Sequence, residues 1–351
     1  MKVDDKGRGL IILNLGSPDS YQVKDVRKYL NEFLMDERVM DIPTISRFFL
    51  VRGLISPFRA PKSAAAYKTV WTDRGSPLKV ITDDFAAQVG EKVNMPVAVA
   101  MRYGTPTTLD ALKKLQAQSP QLKEVLLAPM YPHYAMSSYE TGVEHAKNEI
   151  AAVAGNLKLT VLKPFYNEPG FIKSWAENIR PHLKNDYDAI LFSYHGLPER
   201  QIKKTDPTGK HCFATADCCE VKSTAWQFCY RHQVKETTRL VRENLGLDPK
   251  KVFISFQSRL GSDKWVDPYT DVMLQEFPAR GIKKLVVLCP AFVADCLETL
   301  EEIRDRGKES FLHAGGEHFE VVPCLNTLPL WVETFSNYVN EFEEGYKSWW
   351  N

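Results

Sequence analysis

The chain has 351 residues, 44% hydrophobic and 25% charged, an ordinary globular balance and enough length for two domains with cores of their own. Basic and acidic residues nearly cancel, 45 against 44, and no block of like charge stands out, so nothing points to a nucleic-acid partner. The opening segment MKVDDKGRGLIILNL reads as neither a signal peptide nor a membrane span, and no later run is long and apolar enough to cross a bilayer, so a cytoplasmic location is expected.

In chain order, residues 9–15 (GLIILNL) form a buried-type strand that stops at Gly16 and Pro18. The segment 47–74 follows, with Phe48, Phe49, Leu50, Val51, Leu54, Ile55 and Phe58 interrupted by Arg52. It reads either as a core helix or, with Pro57 and Pro61 beside it, as an apolar lip. A lip would suit a large flat ligand and peripheral contact with a membrane surface. One strand ends at Arg102-Tyr103-Gly104 and another runs through 123–129 (KEVLLAP); after Glu168-Pro169 an amphipathic helix extends to about Leu183.

Residues 189–198 (AILFSYHGLP) carry the most specific signal. Four apolar residues lead into Ser193-Tyr194-His195, and Gly196 and Pro198 then break the strand. In a parallel α/β sheet ligands bind at the carboxyl ends of strands, so the pattern presents an imidazole at the lip of a crevice. The alternative is a hydrogen-bonded histidine at a strand end. A second strand, 284–289 (KLVVLC), meets Pro290 and then Asp295, Glu298 and Glu302. Glu298 and Glu302 are four apart and share a helical face, with Asp295 one turn earlier. Asp295 and Glu298 also fit an N-cap signature, a role that Glu302 does not share. A histidine with carboxylates can bind a divalent metal, relay protons, or do both.

Four of the seven cysteines, Cys212, Cys218, Cys219 and Cys229, fall in one short segment. No CxxC pair marks a zinc ribbon and cytoplasmic disulfides are disfavoured, so the choice lies between a [2Fe–2S] cluster and four free thiols. Cys289, Cys296 and Cys324 read as ordinary buried residues.

The chain also looks like one half-domain written twice. Residues 123–141 (KEVLLAPMYPHYAMSSYET) parallel 284–299 (KLVVLCPAFVADCLET), and 9–18 parallel 189–198, aligning Leu15 with His195 and Gly16 with Gly196. Arg102-Tyr103-Gly104 is set against Arg259-Leu260-Gly261. On this alignment only the second copy carries the histidine and the Glu298/Glu302 pair. The expected fold is α/β: two similar Rossmann-like lobes, each a four-stranded parallel sheet flanked by helices, with a cleft between them. The first lobe is expected over 1–167 plus the C-terminal helix 327–351, with the lip segment 47–74 in it; the second spans 168–326.

With SYHGLP, FQSRLG-(x)3-W and CPAF-(x)2-DCLETLEE in this order and spacing, the sequence resembles the ferrochelatases over nearly its whole length. The resemblance implies a lyase that inserts Fe²⁺, its substrate, into a porphyrin, with the active site between two lobes. It implies that His195 and Glu298 are the pair assigned to iron binding or proton abstraction, and that Glu302 is the next acid along the helix. Arg102 and Tyr103 match pocket residues and Trp265 matches a tryptophan lining the porphyrin. Leu15 stands where coproporphyrin-using relatives commonly carry tyrosine, which favours protoporphyrin IX here. Some bacterial members use an internal cysteine segment for a [2Fe–2S] cluster. Beside the resemblance, Phe292 is a candidate apolar wall, and Arg74 with Ser76 in DRGSP are candidate partners for the porphyrin propionates. The alternatives are a coproporphyrin III ferrochelatase, a chelatase for another metal or tetrapyrrole, and a two-lobed carrier of haem or metal without catalysis. The sequence carries no signal for oligomeric state.

Overall fold

The computed structural model describes residues 6–259, 261, 263–345 and 348–351; Leu260, used in the repeat alignment, lies outside them. The described chain divides into two units. Unit 1 comprises Met1–Tyr131, Met136–Lys163 and Val332–Asn351; unit 2 comprises Pro132–Ala135 and Pro164–Trp331.

Unit 1 holds a parallel sheet of β1 (Arg8–Gly16), β2 (Val97–Tyr103), β3 (Glu124–Pro129) and β4 (Lys158–Val161), in the order β2-β1-β3-β4. Unit 2 repeats the plan with β5 (Ala189–His195), β6 (Val252–Gln257), β7 (Lys284–Leu288) and β8 (His318–Val321), in the order β6-β5-β7-β8. The central strands are apolar at successive positions because helices cover both faces. Leu10 to Leu13 of β1 and Ala189 to Phe192 of β5 are completely buried. In unit 2 the core packs Leu191, Leu285 and Val287 against Leu274, Phe277, Ile303 and Phe311.

The unit boundaries differ from those expected, and side-chain packing gives the reason. Trp331 stacks on Phe165 with ring centroids 5.7 Å apart and meets Phe171 at 5.8 Å, which fixes the first turn of the terminal helix Pro329–Glu343 in unit 2. The rest of that helix belongs to unit 1, where Phe335 meets Phe85 at 5.2 Å and Glu333 pairs with Lys92. Pro132–Ala135 also joins unit 2: His133 Nε2–H donates to Thr237, and the Tyr134 N–H donates to Gln233.

The repeat needs two corrections. Backbone pairing sets Gly16 opposite Tyr103 in unit 1 and His195 opposite Gln257 in unit 2. With Leu15 aligned to His195, Arg102 and Tyr103 therefore correspond to Gln257 and Ser258, two residues before the match that composition suggested. The acid pair is likewise not confined to the second copy. The matched segments end at Thr141 and Thr299, so Glu140 and Glu144 stand where unit 2 has Glu298 and Glu302.

The segment 44–70 is one continuous helical run, α-helical over Thr44–Phe48, π-helical over Phe49–Ile55 and α-helical again over Ser56–Val70. It is only in part a core helix. Val51 is completely buried, whereas Ile45, Phe49 and Phe58 are 75%, 68% and 71% exposed and Leu54 is also exposed. Among the described residues no helix is long and apolar enough to cross a membrane.

Candidate active site

His195 is the last residue of β5 and is half-buried. Its Nδ1 lies 2.8 Å from the Gly196 carbonyl oxygen. A carbonyl only accepts, so Nδ1 carries a proton, and in the neutral imidazole Nε2 is the nitrogen that keeps its lone pair. The His195 carbonyl accepts from the Tyr230 hydroxyl at 2.8 Å, and the edge of Phe292 meets the imidazole with centroids 6.3 Å apart. Gly196 is needed for space. A Cβ there would lie 2.8 Å from the Gln257 carbonyl oxygen and 3.2 Å from the Trp265 ring. Trp265 is thus packed over the turn that carries His195, where it also bridges to Pro198.

The acids come from the carboxyl side of β7. Glu298 opens a π-helix, Glu298–Gly307, which no pattern in the sequence announces. Most π-helical segments are single turns and many sit at functional sites. Residues four apart still lie one above the other in this wider coil, so Glu302 feels both Glu298 and His195. Burial pushes the Glu302 carboxyl up; Ser258 and His195 oppose that shift, Glu298 reinforces it, and Arg306 weakly opposes it. Glu302 Oε1 accepts from the Ser258 N–H at 3.0 Å and Oε2 accepts from the Ser258 hydroxyl at 2.5 Å. The Glu298 carboxylate accepts from the Cys296 thiol, and the Glu298 carbonyl accepts from Gln257 Nε2 at 3.3 Å.

Asp295 does not join this face. Its Oδ1 accepts from the Thr299 hydroxyl at 2.8 Å and from the Cys324 N–H at 3.3 Å, while Oδ2 accepts from Asn326 at 2.7 Å. Its partner in the following turn is thus Thr299, not Glu298. The carboxylate is committed to holding the loop that precedes the π-helix.

The remaining expected residues lie in unit 1. Leu15 is half-buried at the end of β1, beside Gly16, whose φ of 103° and contact with the Tyr103 carbonyl exclude a side chain. Arg102 and Tyr103 surround Asp36. Its Oδ2 accepts from Arg102, from the Thr141 hydroxyl and, at 2.8 Å, from the Tyr103 hydroxyl. Tyr103 has no exposed surface, so it belongs to the interior of unit 1 and is not a pocket wall. Ser76 is also buried, bonded to Ser17 at 2.7 Å, and offers nothing to a propionate. Arg74 is exposed with its guanidinium held by both oxygens of Asp84. The sequence reading missed Asp36, Thr141 and Ser258. Only contacts far along the chain identify them.

All seven cysteines are free and buried. Cys229 is hydrogen-bonded to Cys212 and to Cys219; the Cys212 contact and burial push the Cys229 thiol up to about 12, and the Cys219 contact opposes that shift. Cys219 is also pushed up, first by its bond with Cys229 and then by burial. Cys218 instead faces the Arg231 guanidinium, with Nη1 3.8 Å from its sulfur. Asp206 braces the segment by accepting from the N–H groups of Thr208, His211 and Cys212. Among the described residues no three His, Cys, Asp or Glu side chains are spaced as a metal-binding group.

The model of the family described as ferrochelatase matches residues 7–343 of this chain. The chain belongs to the ferrochelatase family. It is accordingly a metal chelatase, a lyase, whose reaction inserts ferrous iron into a porphyrin. Ferrochelatases from Pseudomonas entomophila (strain L48) and Pseudomonas fluorescens (strain Pf0-1) are 49% and 48% identical to it, over 93% of this chain and 97% and 96% of theirs. Among solved structures, SirB from Bacillus subtilis with Fe³⁺ has a TM-score of 0.56 at 11% identity and covers 95% of this chain and 94% of its own. That likeness supports the fold alone. Within this ferrochelatase, unit 2 brings together an imidazole with a free Nε2, two carboxylates and two aromatic rings.

A second histidine, His133, packs against Tyr194 and Tyr230, the residue before His195 and the one that bonds its carbonyl. His133 is buried among Tyr166, Tyr194 and Tyr230, with the last two rings edge-on at 5.5 and 5.8 Å. Its Nε2–H donates to Thr237 at 2.9 Å, and Nδ1 faces no hydrogen-bond partner. Burial pushes this imidazole down to about 3 from 6.5. A depressed folded value gives stability that is fully present above 6.5 and is lost as pH falls towards 3. Between pH 7.5 and pH 5 the wild type should lose about 2 kcal/mol more unfolding free energy than His133→Gln, which keeps a donor to Thr237. Urea unfolding of both proteins at the two pH values tests this, and equal losses would contradict it.

Proposed function

We propose that the protein inserts Fe²⁺ into protoporphyrin IX, with His195 as the base that receives the porphyrin N–H protons. Glu298 and Glu302 are assigned to exchanging water on the metal and carrying protons away. The observation that supports this most directly is the tautomer of His195: Nδ1–H is held on the Gly196 carbonyl, and the free Nε2 stands within electrostatic reach of Glu302. A neutral imidazole takes up a proton near physiological pH. Two N–H bonds break and two protons leave as the porphyrin nitrogens bind the dication, so charge balances. Nε2 has one lone pair, so an iron contact and a proton transfer at that atom occur in succession. Glu298 is the other assigned iron contact. Trp265 and Phe292 supply apolar surface beside His195, as a flat macrocycle requires. Arg102 and Leu15 are assigned to substrate recognition, and the absence of a tyrosine hydroxyl at Leu15 supports protoporphyrin over coproporphyrin.

An anaerobic assay that follows loss of free-base fluorescence with Fe²⁺ tests this reading. Protoporphyrin IX should turn over at least tenfold faster than coproporphyrin III, and His195→Ala should abolish turnover while porphyrin binding survives. Porphyrin binding without turnover in the wild type would favour a carrier instead, and a near-normal rate in His195→Ala would remove that residue from the mechanism.

We further infer that Cys212, Cys218, Cys219 and Cys229 hold a [2Fe–2S] cluster. The donor set supports it: four buried thiols in one braced segment, three of them joined by hydrogen bonds, which is the ligand count such a cluster takes. As placed, the thiols do not converge as a metal-binding group, so ligation must deprotonate Cys219 and Cys229, both pushed up, and draw Cys218 in. Buried free thiols suit the reducing cytoplasm, the location assigned here. Anaerobically purified protein should be coloured and contain about two irons and two labile sulfides per chain, and Cys229→Ser should lose both. Colourless wild-type protein without iron or sulfide would end the assignment.

The exposed apolar side chains of the 44–70 run support peripheral contact with a membrane surface. Ile45, Phe49, Leu54 and Phe58 are interspersed with exposed Arg52, Arg59 and Lys62, and no acid occurs from Pro43 to Thr72. Apolar rings with basic neighbours suit an anionic lipid interface. Phe49→Asp with Phe58→Asp should cut co-sedimentation with phosphatidylserine-containing vesicles at least fivefold. Unchanged co-sedimentation would refute the contact.

A further inference from the structure

Ser258 is a backbone anomaly at the centre of unit 2. It follows β6 directly and takes a left-handed conformation with φ of 68°, which non-glycine residues adopt only when their surroundings enforce it. The result of that turn is specific. Both donors of the residue point at one group: the N–H reaches Glu302 Oε1 at 3.0 Å and the hydroxyl reaches Oε2 at 2.5 Å. Its neighbour Gln257 grips the same π-helix one turn earlier, through the Glu298 carbonyl.

We propose that Ser258 is a positioning residue for the metal-insertion reaction: its two donors clamp the Glu302 carboxylate in one orientation, and they leave Glu298 as the acid free to move. This rests on the participation of Glu302 argued above. The physical consequence is a division of labour. To swing towards a metal, Glu302 must give up two hydrogen bonds to a charged group, which are stronger than neutral ones. Among the described residues the donor that the Glu298 carboxylate must give up is the Cys296 thiol, a weak one. Around Glu302 stand His195 from the end of β5, Cys289 from the end of β7, and Glu298 and Arg306 on its own helix. None of these holds both of its oxygens.

The test is a double-mutant cycle on the whole protein with Fe²⁺ and protoporphyrin IX. Ser258→Gly keeps the left-handed backbone at no steric cost and removes the whole side chain; Ser258→Ala removes the hydroxyl and keeps Cβ. Each should lower kcat about tenfold, the worth of one hydrogen bond to a carboxylate, while porphyrin Kd by fluorescence quenching stays within about twofold. In a Glu302→Gln background, itself impaired, Ser258→Gly should then cost less than about twofold, because the clamp has lost its charged target. Full kcat in Ser258→Gly overturns the inference, as does the same tenfold loss in both backgrounds, which would place the effect elsewhere than on Glu302. Full kcat in Glu302→Gln alone would instead overturn the assignment of Glu302 and the clamp with it.

Discussion

The site in unit 2 depends on how closely the ends of β5 and β6 approach. The Gly196 N–H donates to the Gln257 carbonyl at 2.8 Å, extending the ladder one residue past His195. That single bond sets the consequences on both sides. On β5 it holds the Gly196 peptide whose carbonyl fixes the tautomer of His195. On β6 it brings the chain to Ser258, the point from which Glu302 is clamped. The bond exists because Gly196 has no side chain, since a Cβ there would collide with the carbonyl that the amide binds. Sheet register and site chemistry are therefore one constraint.

The electrostatics follow from what surrounds the carboxylates. Two acids and an imidazole share a partly buried place, so burial, and after it the charge of Glu298, push the Glu302 carboxyl up, while Ser258 and His195 oppose that shift. Among the described residues the cationic groups that act most on Glu302 are His195, in its imidazolium form, and Arg306. Hydroxyl and amide donors from Ser258 stabilise the anion without placing a permanent cation beside it. A dication arriving at such a site meets two carboxylates that, among the described residues, no lysine or arginine holds in a direct ion pair.

Much of this was legible in the sequence where the chemistry lay along the chain. Strand, histidine, glycine and proline in 189–198 put His195 at a strand end, and the same reading placed Glu298 and Glu302 after β7. The four-stranded plan and its duplication were legible too, because buried parallel strands announce themselves as unbroken apolar runs. What was not legible depends on distant contacts. Asp36 gathers Arg102, Tyr103 and Thr141 from residues more than sixty positions away. Tyr103 looked like a ligand wall and is interior because that carboxylate claims its hydroxyl. The unit boundary moved to 331/332 because one tryptophan stacks on Phe165. The apolar segment 48–58 could be read as core or lip, and only burial separates Val51 from Phe49.

The duplication makes the strongest argument for why one copy carries the chemistry. Both units place an acid pair four residues apart after the third strand, Glu140 and Glu144 in one and Glu298 and Glu302 in the other. In unit 1 each acid has a cation: Arg38 donates to Glu140 at 3.1 Å and Lys147 to Glu144 at 2.8 Å. Where unit 2 has His195 at the strand end, unit 1 has Leu15, and where it has Ser258, unit 1 has Tyr103 bonded to Asp36. The first copy has thus closed its carboxylates with salt bridges, while the second has kept them open behind neutral donors. The same scaffold gives a settled ion-pair network in one half and, in the other, carboxylates that among the described residues no lysine or arginine pairs directly, beside a free imidazole nitrogen. A handful of side chains at strand ends decides between the two, and the backbone they sit on need not change.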